Sequence, residues 1–596
     1  MKSNYQLLTW LSLSAIVIIT LFTTSCGTNK SPFKEIIKPG HVVIHLAAEP
    51  KGLNPTNSIG AVSAQIYYHT TQELINADFK TMEVTPVLAK ERAKFTPIEG
   101  SDLIEMTFEI RDAAVWDDGS PITAADIIFT LKTIKVPQTE ATGKRPYFEF
   151  IKDVRTYEDN PKKITFICIA YMLNEIALSD LHIIQKYFYD DKGLLDNYNI
   201  AQLSDTATAT KIKLEEDKNL IAFAERFNSI EFSKKKISGS GPYELASWTT
   251  DERIVLRRKK DWWGNSQDEK EMWYQAYPDT IIYEIIPSYA TAFSALQADR
   301  INTMTSIEVA DYEAAKQDTG FINRFYTFEP SVFAYDFIGF NLNNPMFQDV
   351  NTRKAIAHLM DIDQLIKTAA NGYAIPTTCF SHPSKTAYLN PNVKSYAYDL
   401  NKAREYLKKA GWEDTNSDGI VEKEIDGKRV PFTCSIITNN TNNRRITAMQ
   451  LLANAAKEVG VNLKPEVLEW KNFVGNVRKS KYEMVVLALG SSPFENDPKQ
   501  TWHSASTNGN GTNYCNYASP VVDSLIDQMR GITVESERYP YYHQIHQEIH
   551  DDVPVIFLLA LQERIAISKK FQNVWGSDMK PGFWGAGFHL GEKIAQ

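Results

Sequence analysis

The stretch TFEIRDAAVWDDGSPITAADIIFTLKTI, residues 107–134, carries three local signals in direct succession. TFEIR alternates polar and apolar residues and reads as a strand. Asp117-Asp118-Gly119 is a turn, because Asp bonds its own backbone and Gly tolerates a left-handed conformation. Thr123-x-x-Asp126 then resembles a capping box opening a helix whose apolar residues include Ile127, Ile128 and Leu131. Strand, turn and helix in immediate order point to an α/β fold.

The same mixture recurs outward from that unit. Residues 42–46 read as a strand, broken off by Glu49-Pro50 and Asn54-Pro55. Residues 164–170 form another, and a charged helical piece covers about 211–227. SGSGPYELASWTTDERIVLRRKKDWWGN gives two alternating strands, 243–248 and 253–257. Strand 281–286 leads to Ser288, which caps a helix with Tyr289, Phe293 and Leu296 on one face. FAYDFIGFNLNNPMFQDVNTRKAIAHLMDIDQLI supplies strand, Asn/Pro turn and helix, and helices 399–410 and 446–459 stop at Gly411 and Gly460. With 596 residues and 43% hydrophobic content, two or three domains with separate cores are expected.

Charge excludes some functions. The net charge is −9, and the densest basic runs, 234–236 and 257–260, are short, so nucleic acid is not an expected partner. The N-terminus MKSNYQLLTWLSLSAIVIITLFTTSC has one basic residue, an apolar run over about 7–22 and small polar residues before Cys26. That layout is a secretory signal over 1–25. Small residues directly before a Cys resemble a lipoprotein signal, although Thr23 stands where such signals usually carry Leu. Cys26 is then the acylated first residue, 26–41 a polar tether, and the protein sits in the periplasm or cell envelope, held to a membrane by lipid. Four cysteines remain, Cys168, Cys379, Cys434 and Cys515; their count permits disulfides with three pairings, and none has the spacing of a metal knuckle.

Chemical constellations are few. Asp414, Asn416, Asp418 and Gly419 match the first half of a calcium loop, but Ile425 stands where a bidentate Glu belongs, so an Asx-rich turn into a hairpin at Asp426-Gly427 is expected. His543, His546 and His550 share one helix face without the H-E-x-x-H pattern, and read as a polar face. Gly239 and Gly241 precede strands rather than a helix, which removes the phosphate-loop reading. No G-x-S-x-G elbow or Cys/His pair at protease spacing occurs, so no enzyme, metal or cofactor is expected. The stretch 485–519 is different: a strand, then a long Gly/Asn/Ser/Pro-rich loop holding Phe494, Trp502, Tyr514 and Tyr517.

Seven segments in order resemble the extracytoplasmic solute-binding proteins of peptide ABC transporters, the oligopeptide- and dipeptide-binding type (solute-binding family 5). They are LNP at Leu53, residues 107–134, SGSGPYELASW with DWWG, SYATAFSALQADRI, FIGFNLNNPMFQDVNTRKAIAHLMD, YDLNKAREYLKKAGWEDTNSDGI and DDVPVIFLLA. The resemblance implies a two-lobed periplasmic-binding-protein fold with a hinge and a third domain. Lobe I would take 27–70, 237–330 and 570–596, the extra domain 71–236, and the other lobe 331–569. Cys379 and Cys434 would share that second lobe, where they could pair, leaving Cys515 free.

It also implies a monomer that captures a peptide or peptide-like ligand between the lobes and delivers it to an ABC transporter permease. Ser58, Gly60 and Ala61 would form one wall; Trp470 and the loop after Leu489, with Phe494, Glu495, Asp497, Trp502 and Tyr514, the other. Arg444 stands where such proteins meet the ligand carboxylate, which an Arg fork suits. Members that grip a peptide amino group carry an Asp four residues before the Pro of an acidic-Pro pair. With Asp497-Pro498 as that pair, the slot holds Phe494. A buried ammonium needs a carboxylate, so Glu495, Asp497 or another acid serves instead, or the ligand is an oligosaccharide, an opine-like compound or a metal chelate. An envelope hydrolase would need a nucleophile or metal set that the sequence does not display.

Overall fold

The computed structural model describes residues 40–590 apart from Ile59, Thr206, Glu269, Pro493 and Glu495. The leader, Cys26, nearly all of the tether and the candidate Glu495 lie outside the described residues.

Three larger sheets organise the described chain. The first has seven strands in the order Phe325–Phe328, Ile565–Ser568, Thr303–Met304, His41–Leu46, Thr280–Ile285, Arg253–Arg258 and Tyr243–Thr249. Its interior strand His41–Leu46 runs parallel to Thr280–Ile285. Val42, Ile44 and Leu46 enter one apolar cluster and Val43 another, because successive side chains leave a strand on opposite faces. Burial on both faces is why HVVIHL is almost continuously apolar.

The second sheet runs Ala374–Pro376, Val555–Leu561, Ala334–Phe340, Met484–Gly490, Thr433–Asn439 and Asn462–Leu468. Thr433–Asn439 is parallel to both Asn462–Leu468 and Met484–Gly490, and helices Asn443–Lys457 and Trp470–Arg478 make the crossovers that parallel strands require. Ligands of such units gather at the carboxyl ends of the strands. Here those ends lead into Asn440, Glu469 and the loop beginning at Ser491.

The third sheet is antiparallel, in the order Lys94–Pro97, Leu103–Glu109, Asn160–Ile169 and Ile151–Tyr157. Helix Ala124–Lys135 covers it, and its start is the capping box read above: the Thr123 amide donates to Asp126 Oδ2 at 3.0 Å. Ile127, Leu131 and Ile134 bury against Met106, Phe108 and Phe166. Trp262, Trp263 and Tyr274, from the segment joining two strands of the first sheet, complete the same cluster. The third domain is thus fixed to the first lobe through a shared core.

The chain crosses between the first two sheets twice, from Phe328 to Ala334 and from Leu561 to Ile565. The two crossings pair: Val332 N donates to Leu561 O at 2.7 Å and Glu563 N to Pro330 O at 2.8 Å. This two-stranded connection has the form of a hinge. It corrects the boundary expected between 569 and 570. Ile565–Ser568 bonds to Phe325–Phe328 along its whole length, so these residues complete the first sheet.

Three further expectations are corrected or refined. Cys379 and Cys434 do not pair; both are free and buried, Cys434 on the strand Thr433–Asn439 beside Met484 and Cys379 near the Ser381 carbonyl. The helical piece at 211–227 is two helices, Thr208–Glu215 and Lys218–Phe227, because Asp217 caps the second with bonds to the Asn219 and Leu220 amides. At 414–425 Asn416 and Asp418 close Asx turns on the amides of Asp418 and Ile420, and Asp414 accepts from the Gly419 amide, before the hairpin Glu422–Ile425 to Lys428–Pro431.

Candidate ligand cleft

Helix Ala61–Tyr67 forms one wall of a cavity at the hinge. Gly60, at φ +153, precedes it, a backbone angle that side chains rarely adopt. Ala61, Val62, Ala64, Gln65 and Tyr68 face the cavity, and Tyr283 OH donates to Gln65 O at 2.8 Å, tying the helix to the first sheet. The first crossing, 330–333, supplies a second side and the turn 577–582 a third. Ser577 Oγ donates to Phe79 O at 2.5 Å and accepts from Met579 N at 2.9 Å, so the turn is held from both ends. The cavity volume is ≈ 450 Å³, within the range of small-molecule sites.

Its lining is mainly apolar, with three charged side chains: Glu563, Asp578 and Lys580. Ser331 N donates to Asp578 Oδ1 at 2.7 Å, and Ser306 Oγ to Glu563 Oε2 at 2.9 Å. The second lobe reaches this region as well. His382 lies against Phe333 with ring centroids 4.4 Å apart, and Lys385 Nζ donates to Met82 O at 3.1 Å.

The residues expected from sequence are dispersed by the fold. Ala61 lines the cavity, whereas Ser58 is buried at Gly52, where an added Cβ would meet its Oγ. Trp470 is 53% exposed at the start of Trp470–Arg478 and is absent from the cavity wall. Phe494 packs against the apolar core of the first lobe. Asp497 is already engaged, accepting from Tyr171 OH and Arg530 Nε, each at 2.8 Å. Trp502 is a core residue beside Phe380, Tyr517 and Phe557, because the long loop packs onto aromatics from the rest of the second lobe as well as its own Tyr517. Trp502 and Tyr514 do meet, with Tyr335, Leu489 and Cys515, around a narrow crevice in the second lobe.

Arg444 also has an internal partner. Its Nε lies 2.6 Å from Asp336 Oδ2, and Arg445 Nε lies 3.3 Å from Oδ1 of the same buried carboxylate. Two guanidiniums on one carboxylate leave a surplus positive charge. The histidines of Glu535–Asp552 hold the segment 381–394: His543 on Ala387 O, His546 on Ser381 Oγ and His550 on Lys394 O. Among the described residues no group of three or more His, Cys, Asp or Glu is arranged to hold a metal ion.

Sequence reasoning missed Pro330, Ser331, Glu563 and Asp578. Their one local signal is the Gly/Pro turn at Lys580-Pro581-Gly582, which carries no chemistry by itself.

The family model described as "Bacterial extracellular solute-binding proteins, family 5 Middle" matches residues 83–511. The chain belongs to this family. Its family 5 relatives include the oligopeptide-binding protein AppA of Bacillus subtilis (strain 168), 25% identical over 571 residues, covering 94% of this chain and 95% of that protein. The dipeptide-binding protein of Escherichia coli (strain K12) is 24% identical over 536 residues, 85% of this chain and 87% of its own. The solved structure of HbpA2 from Haemophilus parasuis shares the family 5 fold with a TM-score of 0.72 at 17% identity, over 93% of this chain and 100% of that one. Among the described residues no helix is long and apolar enough to cross a membrane.

Proposed function

We propose that this family 5 protein captures peptides or peptide-like solutes between its lobes and hands them to the permease of an ABC importer. The observation that carries this reading is the ≈ 450 Å³ cavity built at the two hinge crossings of a family 5 fold. A ligand there that also reaches the second lobe, which approaches through His382 against Phe333, favours the closed arrangement. Short peptides suit it, since main-chain groups supply polar contacts and bridging water accommodates varied side chains. The protein acts as a monomeric receptor, not an enzyme, and Cys26 carries the lipid that keeps it at the membrane.

Native mass spectrometry of the purified protein is the test. Bound species of peptide mass, released on denaturation, are the expected result; a carbohydrate or metal-chelate mass overturns it. That second reading has one observation in its favour, the aromatic Phe494 in the slot where the family resemblance implies an acid. A Cys26→Ala chain recovered in the soluble fraction, against a membrane-bound parent, tests the anchor.

A further inference from the structure

The seven-stranded sheet has two unlike ends. At one, Phe325–Phe328 and Ile565–Ser568 meet the hinge crossings and the cavity. The other is the end at which the chain enters from the tether, and hydrogen bonds fix which residues share it. Asp279 N donates to Gly40 O at 2.8 Å, Arg258 N to Asp279 O at 3.0 Å and Lys259 N to Pro242 O at 2.9 Å. On the other side of His41–Leu46, Asn302 N donates to Val43 O at 2.7 Å, Ser568 N to Asn302 O at 2.8 Å and Lys569 N to Arg324 O at 2.7 Å. Residues 257–260, 300, 324 and 569–570 therefore stand along one edge, and all eight are Arg or Lys. The acids at these strand ends are Glu244, Asp261, Asp279 and Asp299, of which Glu244 pairs with Arg257, Asp279 with Arg258 and Asp299 with Arg324 and Lys570. Lys259 turns inward to Asp117. Lys260 is exposed, as is Lys569, which donates to the Ile322 carbonyl and lies 5.2 Å from the Tyr326 ring centroid. Even with Asp117 counted, cations outnumber acids by three here, on a chain whose net charge is −9.

A basic edge on an otherwise acidic molecule orients it in the field of a negative surface, because the remaining surface is repelled. That field reaches about a Debye length, ~8–10 Å, so the edge must be held close. Fourteen residue steps separate Cys26 from Gly40, at most ~50 Å of fully extended chain. A lipid at Cys26 therefore keeps this edge at high effective concentration beside the bilayer, where weak contacts suffice. We propose that the tether end of the seven-stranded sheet is a docking surface for anionic phospholipid headgroups, on which the protein rests while it waits for ligand. The inference rests on the lipid-anchored envelope location proposed above. In this orientation the six residues of His41–Leu46 rise ~20 Å from the headgroups, and the hinge cavity faces away from the bilayer, toward incoming solute. Delivery requires the lobe to lift off, which a contact made of individually weak surface charge pairs permits.

The test is co-sedimentation of the chain from Gly27 onward, which keeps every described residue and carries no lipid, with vesicles of phosphatidylglycerol and phosphatidylcholine in about equal parts and with vesicles of phosphatidylcholine alone. At about 50 mM salt the anionic vesicles are expected to retain at least about ten-fold more protein than the neutral ones, and about 500 mM salt should abolish the difference. Two double variants, Lys260→Glu with Lys570→Glu and Lys569→Glu with Lys570→Glu, are each expected to cut anionic retention about five-fold or more. Lys235→Glu with Lys236→Glu changes the net charge equally at the hinge end of the sheet, beside Lys234 on the Trp248 ring, and should leave retention at the parent level. Thermal melting identifies an edge variant that fails to fold, and the other then decides. Equal retention by both vesicles, parent-level retention in the edge variants, or an equal loss in the control overturns the membrane surface. Retention by neither vesicle also overturns it and leaves the edge to an acidic protein partner. Because the tested chain lacks Cys26, failure of the lipid anchor is read separately, in the fractionation of the Cys26→Ala chain.

Discussion

Tyr171 of the third domain donates its hydroxyl hydrogen to Asp497 of the second lobe at 2.8 Å. The Arg530 guanidinium bonds the same oxygen and lies 5.1 Å from the Tyr171 ring centroid, while Arg530 O accepts from Met172 N at 2.8 Å. Because the third domain shares its core with the first lobe, this cluster spans the cleft between lobes. Burial, and then the Asp497 charge, raise the Tyr171 phenol well above its ordinary value, so it remains a donor. Tyr171→Phe removes one hydrogen bond to a charged group, worth about 1.5–3 kcal/mol, and should speed ligand release about ten-fold or more. Stopped-flow dissociation of bound peptide reads this. An unchanged rate would show that the cluster does not hold the lobes together.

The same residue marks the limit of what the sequence reveals. The family resemblance offers Asp497 as an acid for a ligand ammonium, but its partners lie at 171 and 530, and no local pattern announces them. Local signals were legible: Thr123 and Asp126 form their box, Ser288 and Asp399 cap their helices, and Asp426-Gly427 closes its hairpin. Each depends on backbone chemistry within a few residues. The cavity is assembled instead from residues near 61, 331, 563 and 578, whose meeting is a tertiary event. Trp502 illustrates the other difficulty, since an aromatic that packs a loop and one that stacks on a ligand look alike in sequence.

The four described cysteines should be silent until the protein unfolds. Burial pushes Cys168, Cys379 and Cys515 up to about 12, and Cys434 higher still, leaving little reactive thiolate near neutrality. Alkylation followed by peptide mapping should find all four unmodified in the native protein and all four modified in denaturant without reductant. A pair modified only after reduction would reveal a disulfide.

Acid should destabilise the fold through two histidines. Burial holds His69 and His546 near 3, far below their unfolded value of 6.5. Below pH 6.5 the unfolded chain binds protons that the folded chain refuses, so stability is complete above 6.5 and falls as pH drops toward 3. Each group contributes a loss of roughly 1 to 2 kcal/mol per pH unit in that window. Denaturant titrations at pH 7 and 5 should show the decline, and His546→Gln, which keeps a donor for Ser381 Oγ, should reduce its slope. A stability independent of pH over this interval would contradict the buried neutral state.

Asp336, Arg444 and Arg445 separate structural from ligand-binding charge. Arg445 is the more enclosed guanidinium; its burial lowers its affinity for the proton and the Asp336 charge opposes that shift. Asp336→Ala strands two cations in the second lobe, and breaking a buried pair in this way costs about 3–5 kcal/mol. Arg444→Gln is different, because Asp336 keeps Arg445 and the surplus charge alone is lost. Its melting temperature should stay close to that of the parent. If the surplus charge meets the carboxyl end of a bound peptide, Arg444→Gln weakens binding of free-acid peptides by about ten-fold or more and leaves their C-terminal amides unaffected, in keeping with a charge-assisted hydrogen bond. Equal losses for acids and amides would assign Arg444 to the fold alone, and the ligand would then need its second polar contact elsewhere in the cavity, where Lys580 is the one cation on the wall among the described residues.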